Sequence, residues 1–226
     1  MIRKALLYTG LIVSTLLYTS CIQASHDRVM GQAGVYIGNL HTHTTGSDDG
    51  KNTYREMVDE AIRLGYDFLV ITDHHSISLD TRFRCANEKD ILCVIGEEIS
   101  TDEVHILAID IKNAIPYGTS AQETIDRIHA QGGIAIAAHL NDPKYGTDWT
   151  YLDQLKDIDA YEYTPILGQE WYDAILFRQG TPVVLDSDAH STEALKNVAN
   201  SCTLEELSIE GLKQAIKKGM CTVYFP

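Results

Sequence analysis

Residues 61–75 read Ala61-Ile62-Arg63-Leu64-Gly65-Tyr66-Asp67-Phe68-Leu69-Val70-Ile71-Thr72-Asp73-His74-His75. Three signals lie in one line here. The segment closes a helical pattern that begins at Asn52, with Tyr54, Met57, Val58, Ala61 and Ile62 on one face. Gly65 then stops the helix. Phe68 to Ile71 is an unbroken apolar strand, as expected of burial on both faces, and it runs straight into acid and imidazole. One such unit predicts a strand following a helix, with chemistry at the strand's carboxyl end.

Working outward, the unit repeats. Val35 to Leu40 reads as the preceding strand, Leu92 to Ile95 as the next, and Val104 to Ile111 as another. A helix is expected near Ser120–Gln131, then a strand Ile134–Ala138, a helix or turn near 149–156 and a strand at 159–163. A helix near 169–179, the strand Val183-Val184-Leu185, a helix Ser208–Lys218 and a strand Thr222–Phe225 complete the chain. Gly65, Gly132, Gly180 and Gly219 each stand shortly before a strand. This alternation indicates an α/β fold with a mainly parallel sheet. About seven strands suit closure into a TIM-like (β/α) barrel. An open doubly wound sheet is the alternative, but no G-x-G-x-x-G follows the first strand.

The N-terminus reads differently. Arg3 and Lys4 precede the apolar stretch Ala5–Tyr18, which is short for a membrane span. Residues 1–20 are therefore expected to be a signal peptide. Cys21 stands where a lipoprotein signal places its acylated cysteine, although Tyr18 departs from the usual Leu. Residues 21–33 read as a tether and 34–226 as one domain. The expected location is exported: periplasmic or outer-membrane-anchored, otherwise secreted, with a lipid at Cys21 as the membrane contact. Cys85–Cys93 and Cys202–Cys221 are candidate disulfides in that setting; four free buried thiols are the alternative.

Composition narrows the partners. The 226 residues carry 18 Lys+Arg against 32 Asp+Glu, a net charge of −14, with nine His. Loss of residues 1–20 removes two positive charges and no acid, leaving −16. No stable nucleic-acid partner is expected of such a chain, because DNA and RNA are gripped by basic stripes.

The histidines gather at strand ends: His41-Thr42-His43 and Asp48 after the first strand, Thr72-Asp73-His74-His75 after the second, Glu97-Glu98 after the third, His139 after 134–138, and Asp186-Ser187-Asp188-Ala189-His190 after 183–185. His105 opens its strand. Only six residues part it from Glu98, too few for a crossover, so a turn near Thr101-Asp102 is expected to make an antiparallel hairpin that brings His105 back beside Glu98. Imidazole and carboxylate together suit Zn, Mn or Fe, whereas calcium prefers oxygen alone. A His-x-His pair in extended chain turns both rings to one side. Six His and three acids exceed the needs of one ion and suit two or three divalent ions sharing a carboxylate.

These motifs resemble the PHP family, named for polymerase and histidinol phosphatase domains. The resemblance rests on Asn39-Leu40-His41-Thr42-His43-Thr44, Ser47-Asp48, Ile71-Thr72-Asp73-His74, Gly96-Glu97-Glu98-Ile99-Ser100, Val104-His105-Ile106-Leu107, Ala137-Ala138-His139 and Ser187-Asp188-Ala189-His190, in family order. It implies a distorted (β/α)7 barrel with a trinuclear metal site. His41, His43, Glu98 and Asp188 would hold one metal. Glu98 would bridge to a second, held by His105 and His139. Asp48, His74 and His190 would hold the third, and Asp49 is a competitor of Asp48. Glu98, Asp188 and His190 would be the catalytic residues of the set. Asn39, Asp49 and Leu140 depart from the family's usual Asp, Gly and Pro.

The expected activity is metal-dependent phosphoester hydrolysis, phosphatase or phosphodiesterase, of a small phosphorylated substrate by a metal-activated water. An amidohydrolase-type hydrolase and a non-catalytic exported metal-binding domain are the rivals. His75 is a candidate substrate contact. Phe83, Tyr117, Tyr145, Trp149 and Trp171 are candidates to stack on a base or sugar. Thr72, Asp73 and Asp186 are expected to support the loops.

Overall fold

The computed structural model describes residues 32–140, 142, 144–164 and 180–226. The segments expected to be a signal peptide and most of the tether, the helix expected near 169–179, Cys21 and Trp171 lie outside them. The described elements are β1 (Gly34–Asn39), α1 (Tyr54–Arg63), β2 (Phe68–Ile71), α2 (Leu79–Ala86), β3 (Leu92–Ser100), β4 (His105–Ile109), α3 (Ala121–Ala130), β5 (Ile134–Ala137), α4 (Trp149–Leu152), β6 (Ala160–Tyr163), β7 (Val183–Leu185), β8 (Ala199–Leu204), α5 (Ile209–Lys217) and β9 (Cys221–Tyr224).

The nine strands form one sheet in the order β7-β6-β5-β4-β3-β2-β1-β8-β9. The expectation of seven strands in a mainly parallel sheet is corrected here. β1–β2, β2–β3, β5–β6 and β6–β7 are parallel, whereas β3–β4, β4–β5, β1–β8 and β8–β9 are antiparallel. The β3–β4 connection, residues 101–104, is too short to cross over, so β4 returns antiparallel beside β3.

The sheet curls until its ends nearly meet. Asn200 on β8 receives the Leu185 N–H of β7 at 3.1 Å and donates to the Leu185 carbonyl at 2.8 Å, replacing a missing ladder with a side-chain amide. Above it, the chain after β1 pairs with the chain after β7: His43 N donates to Ala189 O at 2.9 Å and Ala189 N to His41 O at 3.2 Å.

Strand periodicity divides inside from outside. Phe68, Val70, Leu92, Val94, Leu107, Ile109, Ile134, Ile136 and Val184 fill the barrel interior and meet Leu212, Ala215 and Ile216 of α5, which plugs the end where the parallel strands begin. The alternate residues of β3 to β5 face α3, and those of β1 to β3 face α1 and α2. Gly38 is needed on β1, since a Cβ there would lie 2.1 Å from the Phe68 carbonyl oxygen. Ser78 caps α2 and Ser120 caps α3, and Thr53 and Glu56 form a capping box on α1. Disulfides join Cys85 of α2 to Cys93 of β3, and Cys202 to Cys221 across β8–β9. No helix among the described residues is long and apolar enough to cross a membrane.

Candidate metal centre

At the other end of the interior the apolar column gives way to charge. Parity explains which acid is presented there. On β3, Glu98 shares the inward face with Leu92 and Val94, and Glu97 points outward with Ile99. Glu97 accepts the Ile115 N–H at 2.8 Å and latches the loop after β4. Burial pushes its carboxyl up to about 7. The β3–β4 hairpin pairs Ser100 with His105 and so returns His105 to Glu98.

Glu98 is the hub. Its Oε2 lies 3.1 Å from Nε2 of His41 and 3.1 Å from Nε2 of His43. Its Oε1 lies 2.8 Å from Nδ1 of His105 and 2.9 Å from Nε2 of His139. His41 and His43 flank Thr42, which is held in the ladder by Thr72, and their Nε2 atoms come within 3.0 Å. Asp188 Oδ1 completes that group, 3.2 Å from His41 and 3.3 Å from His43. Three sets of donor atoms result: His41, His43, Glu98 and Asp188; Glu98, His105 and His139; and His43, Asp49, His74 and His190.

The third set contains Asp49, the competitor of Asp48, rather than Asp48. Asp49 Oδ2 lies 3.1 Å from His190 Nε2 and 3.5 Å from His74 Nε2. Asp48 is exposed and belongs to none of the three sets. Ser47 is pinned inward, donating to Asp73 at 3.2 Å and accepting the His74 N–H at 2.8 Å. From that anchor it is the carboxylate two residues on that reaches the rings.

The supporting residues do as expected. Asp73 accepts from Thr44 N at 2.6 Å and Thr44 Oγ1 at 2.8 Å, fixing the 44–47 loop. Asp186 accepts the Leu40 N–H at 2.6 Å. Burial, with Glu162 nearby, pushes the Asp186 carboxyl up to about 8.

Glu162 is the residue that the sequence reading missed. It is fully buried on β6. It lies 2.9 and 3.0 Å from His41 Nδ1 and accepts the His139 N–H at 3.0 Å. A carboxylate accepts, so His41 carries its proton on Nδ1 and turns a lone pair on Nε2 toward the hub. The signal available was a lone charge inside an otherwise buried strand, Ala160-Tyr161-Glu162-Tyr163.

The donor set fits divalent ions. Nε2 of His41, Nε2 of His43, a Glu98 oxygen and an Asp188 oxygen converge, all lone-pair atoms that need protons or cations between them. Without a metal, protons do this work. Burial pushes His41 down, but Glu162, Asp188 and Glu98 more than offset it and hold the imidazole well above its usual value. Burial likewise opposes charge on Glu98, and the histidines around it prevail, holding its carboxyl well below the ordinary range. The buried Nδ1 of His139 has no hydrogen-bond partner. His75, His139 and Asp188 adopt positive φ of 48°, 28° and 47°. Each such non-glycine residue costs roughly 1–3 kcal/mol, a strain that recurs at functional sites.

The centre opens into a cavity of about 720 Å³ lined by Asp48, Asp49, His75, Ser76, Ser100, Tyr117 and Tyr145 besides the ligating candidates. Of the aromatic candidates, Tyr117 and Tyr145 line it and Phe83 does not. Arg84 is paired with Asp80 at 2.7 Å.

Comparison with known proteins agrees with this geometry. The PHP domain family model matches residues 39–225. An uncharacterised protein of Methanocaldococcus jannaschii is 35% identical over 117 residues, 46% of this chain and 68% of that protein. A two-domain protein of Bacteroides vulgatus with a predicted PHP-like metal-dependent phosphoesterase superposes with a TM-score of 0.71 at 20% identity. That match covers 87% of this chain and 66% of the other. The lesion-specific endonuclease Q of Pyrococcus furiosus gives 0.67 at 18% identity, covering 84% of this chain and 58% of its own. The chain thus spans less than two thirds of either solved protein. The matched residues 39–225 include every ligating candidate from His41 to His190, and on that match the chain belongs to the PHP domain family.

Proposed function

We propose that this chain is a metal-dependent phosphoester hydrolase acting on a small phosphorylated substrate. One observation carries the reading: the two oxygens of Glu98 face two separate histidine pairs, the arrangement of a carboxylate shared between ions. Two or three divalent ions of zinc, manganese or iron, when bound, would acidify a water and withdraw charge from phosphate oxygens.

The chain's own residues do the rest. Glu98 sets the spacing of the two histidine pairs. Glu162 keeps the Nδ1 proton on His41. Asp188 Oδ1 would help hold the first ion beside His41 and His43, and His190 Nδ1 receives support from the Asp188 carbonyl at 2.9 Å. His43 belongs to both the first and the third sets, and its ring stacks on that of His190 at 4.1 Å. His75 borders the cavity as a substrate contact.

DNA is the second reading, favoured by the fold shared with endonuclease Q. The net charge of −14 and a cavity with no Lys or Arg among its described lining favour the small substrate. The two disulfides support an exported protein.

The test is release of p-nitrophenol from p-nitrophenyl phosphate and bis-p-nitrophenyl phosphate by the manganese-loaded chain, beside cleavage of a duplex with an abasic site. Turnover of a small ester that is lost in His43→Ala is expected. Cleavage of the duplex alone would overturn the small-substrate reading, and inactivity on all three would overturn the phosphoesterase.

A further inference from the structure

Tyr117 and Tyr145 have no part in holding metal, yet both stand at the metal cavity. Tyr117 is 75% exposed and Tyr145 44% exposed, among only seven large apolar side chains so exposed in the described residues. Phenol rings left in water forgo the burial that aromatic side chains normally contribute. Here they end a row of rings across the cavity mouth. Tyr117 meets His75 edge-on at 5.1 Å. His75 stacks toward His74 at 5.9 Å, and His74 meets His105 at 6.1 Å. His105 lies 5.2 Å from Tyr145, tilted by 33°. His75 itself sits in a left-handed turn, φ 48°.

Charge on the wall points the same way. The described lining holds Asp48, Asp49, Glu98 and Asp188 and no Lys or Arg. Lys144 sits on the Tyr145 hydroxyl and 4.4 Å from its ring centre, lending the tyrosine a positive flank. Away from the ions, a second phosphate on the substrate would meet Asp48, the one carboxylate of this lining outside the three donor sets, and no Lys or Arg of the described lining. A planar neutral ring would meet tyrosine faces.

We propose that Tyr117 and Tyr145 form an aromatic subsite that selects phosphoesters bearing one phosphoryl group and a planar ring, aryl or nucleoside. The proposal rests on the phosphoester reading above. The ring lies against one or both tyrosines while the phosphoryl group sits at the Glu98 hub. Base–aromatic stacking on exposed tyrosines is tolerant of ring identity, so the subsite selects a class and not one compound.

The test uses non-hydrolysable probes: calorimetric titration of the manganese-loaded chain with ethylphosphonate, phenylphosphonate and a nucleoside 5′-phosphonate. Ring-bearing probes should bind about five- to tenfold tighter than ethylphosphonate. That preference should vanish in the double variant Tyr117→Ala/Tyr145→Ala, survive in Tyr117→Phe/Tyr145→Phe, and leave metal content and ethylphosphonate affinity unchanged. A nucleoside probe tighter than phenylphosphonate assigns the ring to a nucleotide; equal affinities assign it to aryl groups in general. Equal affinity for ethyl and ring-bearing probes would overturn the subsite while leaving the phosphoester reading intact. Binding of none of the three would overturn both.

Discussion

The two ends of the barrel interior are built from opposite materials. The closed end, where Phe68, Leu92 and Ile134 meet α5, is apolar throughout, and Phe68 and Ile134 are fully buried. The open end buries His41, His43, Glu98 and Glu162 almost completely and holds three non-glycine residues at positive φ. Burying an apolar side chain there contributes about 1.5–3 kcal/mol, whereas burying charge costs free energy unless partners are supplied. The same strands carry both ends, so the closed end supplies the stability that keeps the costly open end in shape.

The largest effect expected is at the closed end. Phe68→Ala should lose about 3–5 kcal/mol of stability, read by urea or thermal unfolding, with metal content unchanged in the folded fraction. Loss of metal at temperatures where the variant is still folded would show that the ends are not separable. Next, Glu162→Gln should weaken metal binding about 10- to 100-fold, because an amide can present its N–H₂ to His41 and release the tautomer. Nitrogen NMR should show the His41 Nδ1 proton redistributed; an unaltered tautomer with unaltered affinity would remove Glu162 from the support of the centre. A smaller effect separates neighbours: Asp49→Asn should weaken the ion near His74 and His190, and Asp48→Asn should leave it unchanged. The reverse pattern would restore Asp48.

The pH dependence is the mildest test. In the metal-free chain His41, His43 and His139 are raised above their usual value, each against the opposing effect of burial, by the carboxylates around them. Metal must expel those protons. Apparent metal affinity should therefore fall as pH is lowered, and binding should release protons measurable in buffers of different ionisation enthalpy. Affinity independent of pH between about 6 and 8 would contradict this.

Much of this contrast is legible in the sequence. Continuous apolar runs such as Phe68–Ile71 that break into acid and imidazole mark both the interior and its open end. What the sequence hides is set by contacts across the sheet. β8, Ala199-Asn200-Ser201-Cys202-Thr203-Leu204, has too little apolar alternation to announce a strand, and its Asn200 works by hydrogen-bonding Leu185. α2 exposes Leu79 and Phe83, which blurs its helical face. Asp48 and Asp49 differ only by how the 44–47 loop is tied to Asp73, a tertiary matter. Glu162 looks like a stray charge until the fold sets it under His41.

The most direct measurement counts metal per chain by inductively coupled plasma mass spectrometry, after dialysis with manganese or zinc, for the native protein and Glu98→Gln. A carboxylate shared between ions predicts two or three ions in the native chain and at most one in the variant, with hydrolysis reduced more than about a hundredfold. A single ion in both proteins, with activity retained in Glu98→Gln, would contradict the shared centre.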